Sequence, residues 1–83
     1  MNKKKMFSDI LKNRGINVAF TDFQVLLKAF GFTLDRINGS HHIYVHEKCK
    51  RIISIQPVGK DAKPYQIRQF IILVEQNNLK MEE

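Results

Sequence analysis

Apolar residues enter the chain in short bursts whose spacing changes several times along its length. Met6, Phe7, Ile10 and Leu11 recur at three- and four-residue intervals, which predicts a short amphipathic helix that stops near Gly15. "INVAF" then alternates Ile16, Val18 and Phe20, the mark of a brief extended segment. In "TDFQVLLKAFG" the stripe Phe23, Leu26, Leu27 and Phe30 gives the clearest helical pattern of the chain. Thr21 with Gln24 three residues on fits a capping box, and Gly31 stands where a left-handed cap is wanted.

Beyond Gly31 the period shortens. "FTLDRI", "HHIYVHE" and "RIISIQP" read as three strands. Asn38-Gly39 between the first two predicts a type I′ hairpin, with positive φ at both central residues, and the polar "EKCK" turns the chain again. "VGKDAK" reads as a loop. Pro64 fits the first position of a last helix with the stripe Ile67, Phe70, Ile71 and Val74, which fades out in "EQNNLK". The expected fold is α+β: a short N-terminal helix, then α-β-β-β-α, with a three-stranded antiparallel sheet covered by helices on one face. Residues 1–20 read as a helical extension and residues 21–83 as one folded unit. The α-β-β-β-α order is that of double-stranded-RNA-binding domains, although order alone does not fix function.

Composition narrows the class. The chain has 83 residues, 43% hydrophobic and 27% charged, which is one small globular domain. The single cysteine, Cys49, can form neither an internal disulfide nor a zinc site alone, so a reducing compartment is expected. The opening "MNKKKMFSDILKNRG" has the lysines of a signal peptide without its apolar stretch, and no run of about 18 apolar residues occurs. The expected location is the cytoplasm, with no membrane partner. A net charge of +6 points to a polyanionic partner, nucleic acid first.

The chemistry concentrates in "NGSHHIYVH", which holds all three histidines, His41, His42 and His46. Metal-free RNA cleavage needs a group that takes a proton from a ribose 2′-OH or gives one to the leaving oxygen, and imidazole, with a pKa of about 6.5, does either near neutral pH. Asp9, Asp22, Asp35, Glu47 and Asp61 are scattered, so no metal site and no cofactor are expected. Lys60 and Lys63 precede the last helix. Lys63 is a poor side-chain cap, so free first-turn amides flanked by lysines are expected to form a phosphate site. Lys48, Lys50 and Arg51 make a basic hairpin tip suited to an RNA backbone or an acidic protein. Cys49 lies within that tip and has no base to activate it.

Strand alternation puts His41 on one face with Ile43 and Val45, and His42 on the other with Tyr44 and His46. Ile43 and Val45 are the apolar choice for the helix-covered side. His41 is then expected at the rim of that side, with His42, Tyr44 and His46 on the open face, where Tyr44 is a candidate for stacking on a base. Neighbouring strand residues cannot grip one phosphate, so His41 and His42 are not expected to form an acid/base pair unless a bulge intervenes. Gly39 serves the turn, and Ser40 either orients a phosphate or caps that turn.

"LLKAFGFTLDRINGSHHIYVH", "ISIQP" and "KPYQIRQFI" together are similar to the toxins of the HicA family. The similarity runs from about Thr21 to Leu79. It implies a double-stranded-RNA-binding-like fold, an mRNA interferase acting without metal as the toxin of a type II toxin–antitoxin pair, mRNA as substrate and a cognate HicB-like antitoxin as partner. The family's histidine falls on His41, the first after Gly39-Ser40; some members shift it by one, which makes His42 the fallback. The chain departs from the pattern at "QPVGK", where Val58 follows the proline at a place often held by a basic residue or histidine, and in its long N-terminus. Two other readings stand beside the nuclease: a non-catalytic RNA-binding module of the same fold, and a protein-interaction domain whose basic face meets only an acidic antitoxin. Gly-Ser-His favours the enzyme, because binding alone needs no imidazole there.

Overall fold

The computed structural model describes residues 2–13 and 17–81. The elements are α1 (Lys3–Asn13), α2 (Phe20–Ala29), β1 (Phe32–Asn38), β2 (His41–His46), β3 (Ile52–Ile55), β4 (Pro57–Val58), β5 (Asp61–Ala62) and α3 (Pro64–Gln76). Strands β1, β2 and β3 form an antiparallel meander in that order, and β4 and β5 make a small hairpin of their own. This is the expected α+β arrangement.

The stripes set the packing. Phe23, Leu26 and Leu27 of α2 and Ile67, Phe70, Ile71 and Val74 of α3 are buried against Phe32, Tyr44, Ile53 and Ile55 of the sheet. Phe70 is the hub of this layer, with its ring centroid 5.6 Å from Phe23 and 5.4 Å from Phe30, both edge-on. Helix α1 lies on the same core. Its Ile10 is buried, and its Phe7 ring is 4.8 Å from Phe30 and 6.1 Å from Phe70. The expected stop at Gly15 lies outside the described residues.

Local signals are used as anticipated at two points. Gly31 has φ of +95° after α2, and Pro64 opens α3 with Lys63 as its cap residue. Three others differ. The cap of α2 falls two residues before Thr21, at Ala19, with no side-chain capping bond, so the helix starts at Phe20 and the Thr21/Gln24 capping box does not form. Gln24 instead accepts a hydrogen bond from the Tyr44 hydroxyl at 2.7 Å. Asn38 pairs with His41, so the turn residues of the first hairpin are Gly39 and Ser40. Only Gly39 has positive φ there, at +63°, which fits a type II′ turn with glycine first in place of the expected type I′.

The third difference is "VGKDAK", which is the β4–β5 hairpin and not a loop. It is tied to the start of α2: Phe20 N–H donates to the Lys60 carbonyl at 2.9 Å, and Ala62 N–H to the Val18 carbonyl at 2.8 Å. The extended segment before α2 therefore finds its ladder partner at Asp61, through Ala19.

Candidate functional site

The two-residue turn fixes the register, and the register fixes which way each histidine points. Phe32 pairs with His46, Leu34 with Tyr44 and Ile37 with His42 on one face; Thr33 pairs with Val45, Arg36 with Ile43 and Asn38 with His41 on the other. The break in register lies between Leu34 and Arg36 in β1, so β2 keeps strict alternation and His41 and His42 look to opposite faces.

The expected assignment of those faces is reversed. Tyr44 is fully buried under the helices, His46 is 5% exposed, and His42 meets the Phe20 ring edge-on at 5.0 Å, while His41 is exposed on the open face with the partly exposed Ile43 and Val45. Burial of an aromatic residue with a polar tip costs little once the tip is bonded. The Tyr44 hydroxyl has Gln24, and burial pushes its phenol pKa above the usual 10.0. Tyr44 is thus a core residue and not a platform for a base.

His46 is likewise structural. Its Nε2–H donates to the Phe30 carbonyl at 2.8 Å, and its Nδ1 accepts from the Lys48 and Cys49 amides at 3.1 and 3.2 Å. One imidazole ties the end of α2 to the hairpin tip, and those amides fix its tautomer. Cys49 enters through its backbone. His42 Nδ1–H donates to the Ser40 carbonyl at 3.2 Å, which braces the turn. His41 has one contact, Ser54 Oγ at 3.5 Å from Nδ1, on an exposed surface.

His41 lies at one end of the sheet, with the Gly39-Ser40 turn, the last residue of β3, the β4–β5 hairpin and the start of α3. Lys60 is exposed in that hairpin and Lys63 is partly buried at the helix start. Lys63 gives the first turn of α3 no side-chain cap, as expected, but few of its amides are left open. Gln66 N–H bonds to the Lys63 carbonyl at 3.0 Å, as does Ile67 N–H at 3.2 Å, and Pro64 has no N–H to offer, which leaves the Tyr65 N–H as the open donor of that turn. Any phosphate contact at this end then depends on the lysine side chains and that single amide.

Lys48, Lys50 and Arg51 are elsewhere. They sit beyond His46, at the far end of β2 from His41, a separation of roughly 17 Å at about 3.3 Å per strand residue. A cavity of about 520 Å³ also lies at that end, between the hairpin tip and the segment after α3, with His46, Cys49 and Lys80 among its walls. Among the described residues no cluster of His, Cys, Asp or Glu can hold a metal ion, and no helix is long and apolar enough to cross a membrane.

Sequence reasoning missed the buried Gln66 at the His41 end and the two residues it bonds. Gln66, 4% exposed, accepts the Gln56 N–H through Oε1 at 3.0 Å and donates through Nε2 to the Tyr65 hydroxyl at 3.3 Å. A glutamine inside the apolar stripe of α3 was the signal available in the sequence.

The helix-backed meander, basic and with its one exposed histidine at the strand start, belongs to the class of double-stranded-RNA-binding-like α+β domains. The family model described as "HicA toxin of bacterial toxin-antitoxin" matches residues 20–77, well over half of the chain. The chain belongs to the HicA toxin family. Membership makes it the toxin of a toxin–antitoxin system and implies an antitoxin as its partner. No curated protein and no solved structure matches the chain.

Proposed function

We propose that this toxin is a metal-independent endoribonuclease that cleaves mRNA, with His41 as its general acid/base. The observation that carries the reading is the division of labour among the histidines. His46 and His42 are held by the fold, and His41 is left exposed directly after Gly39-Ser40 with one long contact.

In this reaction His41 takes the proton of a ribose 2′-OH. The oxygen attacks the adjacent phosphorus, the bond to the 5′-oxygen breaks, and that oxygen leaves with a proton supplied by the site or by water. The products are a 2′,3′-cyclic phosphate and a 5′-hydroxyl. Lys60 and Lys63 offset the charge that builds on the phosphate, and Ser40 orients it from the turn. Lys48, Lys50 and Arg51 serve the RNA strand at a distance or receive acidic groups of a HicB-like antitoxin. The role proposed for residues 1–20 is to complete the helix layer over residues 21–83, with the site in the latter.

The test is cleavage of single-stranded RNA in EDTA with analysis of the new ends. Cleavage giving 2′,3′-cyclic phosphate is expected. A requirement for added divalent metal contradicts the reading, and binding without cleavage leaves an RNA-binding module of the same fold.

A further inference from the structure

We infer that Tyr65 is the stacking platform for a nucleobase of the RNA strand bound at the His41 end; the inference rests on RNA being the ligand, as proposed above, and not on the cleavage step. The chain has two tyrosines and no tryptophan. With Tyr44 buried, Tyr65 is the tyrosine left to solvent, 54% exposed in the first turn of α3.

An exposed tyrosine is ordinarily a loose surface group. This one is held. Its hydroxyl accepts from Gln66 Nε2, and Gln66 is itself buried and fixed through Oε1 by the Gln56 amide. The ring is thereby presented by a buried anchor, and less side-chain freedom is lost when a ligand lies against it. Buried glutamines are uncommon in an apolar stripe, and here the buried amide spends its donor on the exposed ring.

The anchor also places the ring. Gln56 follows Ile55, the partner of His42 and the last residue of β3, so it lies at the end of the sheet where β2 begins with His41. Tyr65 thus sits at the end of the sheet that carries His41, Ser40 and Lys60. Lys63 Nζ lies over one face of the Tyr65 ring, 6.0 Å from its centre. An aromatic ring with a cation over one face suits a nucleotide, whose base stacks on the other face while its phosphate meets the ammonium. Every base offers such a face, so the contact grips the strand without selecting sequence. The excess of positive charge favours RNA over an aromatic side chain of a protein partner as the occupant.

The test uses the full chain with His41→Ala, so that RNA is bound and not consumed, and a short single-stranded RNA beside a fully abasic oligomer of equal length. Tyr65→Ala is expected to weaken RNA binding on the order of tenfold, the loss of one base–aromatic stack, and to leave binding of the abasic oligomer unchanged. Tyr65→Trp is expected to restore affinity, and its fluorescence, the only tryptophan signal in the chain, to be quenched by RNA and not by the abasic oligomer. Both variants are exposed substitutions whose fold circular dichroism checks. Unchanged RNA affinity in Tyr65→Ala overturns the inference, as does an unquenched Tyr65→Trp, an absence of RNA binding, or a loss confined to antitoxin binding. If the parent chain binds RNA through Tyr65 and does not cleave it, the nuclease reading fails and this one stands; cleavage with Tyr65-independent binding is the reverse.

Discussion

Three imidazoles within one six-residue strand do three different things, and the difference lies in what each ring nitrogen meets. His46 bonds at both nitrogens inside the protein. His46→Ala leaves the Phe30 carbonyl and two amides of the tip without their partner, and is expected to cost about 1–3 kcal/mol for each group that water cannot reach. Urea denaturation measures it; an unchanged midpoint contradicts the bonding described. Tyr44 gives a pH dependence with a definite sign. Its folded pKa is raised by burial, so its contribution to stability is complete below the unfolded value of 10.0 and is lost as pH rises through the higher folded value. Stability is therefore expected to fall on the alkaline side of pH 10, and less so in Tyr44→Phe. Equal alkaline loss in both proteins points to another group.

Among the elements, α2, α3 and the meander were legible in the sequence because their periods are long enough to count. Gly31 and Pro64 were legible because each answers a specific backbone demand. The faces of the sheet were not, because Ile43 and Val45 outrank Tyr44 and His46 in hydrophobicity, and what buries the latter pair is a partner for each polar tip on α2, the Gln24 side chain and the Phe30 carbonyl. A signal was present: Ser54, opposite Ile43, marks that face as open, and the apolar residues Phe32, Leu34 and Ile37 skip a step where β1 breaks register. The β4–β5 hairpin has strands of two residues, too short to alternate, and its bonds to Val18 and Phe20 cannot be read locally. For α1, Ile10→Ala is expected to lower stability by about 2–5 kcal/mol, as a buried apolar truncation does, while Leu11→Ala, exposed on the same helix, stays within about 0.5 kcal/mol. Equal effects mean that α1 does not pack as described.

At the scale of the whole molecule two groups of basic residues stand at opposite ends of one sheet. Lys60 and Lys63 share an end with His41, and Lys48, Lys50 and Arg51 occupy the other. Lys60→Ala and Lys63→Ala are each expected to weaken RNA binding and to make its salt dependence shallower by about one unit of slope, one phosphate contact apiece. Slopes equal to the parent's return both lysines to plain surface residues. The antitoxin is expected to stop the reaction by covering the His41 end, and a complex that leaves that end open while activity is lost contradicts this.

The central claim is that the exposed histidine and not its neighbour performs the proton transfer. The direct measurement is the cleavage rate of single-stranded RNA in EDTA for His41→Ala and His42→Ala, with circular dichroism and RNA affinity recorded for both. His41→Ala is expected to lose on the order of 10²–10⁴-fold in rate with fold and affinity kept, as removal of a general acid/base does. His42→Ala, which gives up its packing on Phe20 and its brace to the turn, is expected to lose some stability and far less rate. A dead His42→Ala beside an active His41→Ala, or equal mild losses in both, contradicts the account.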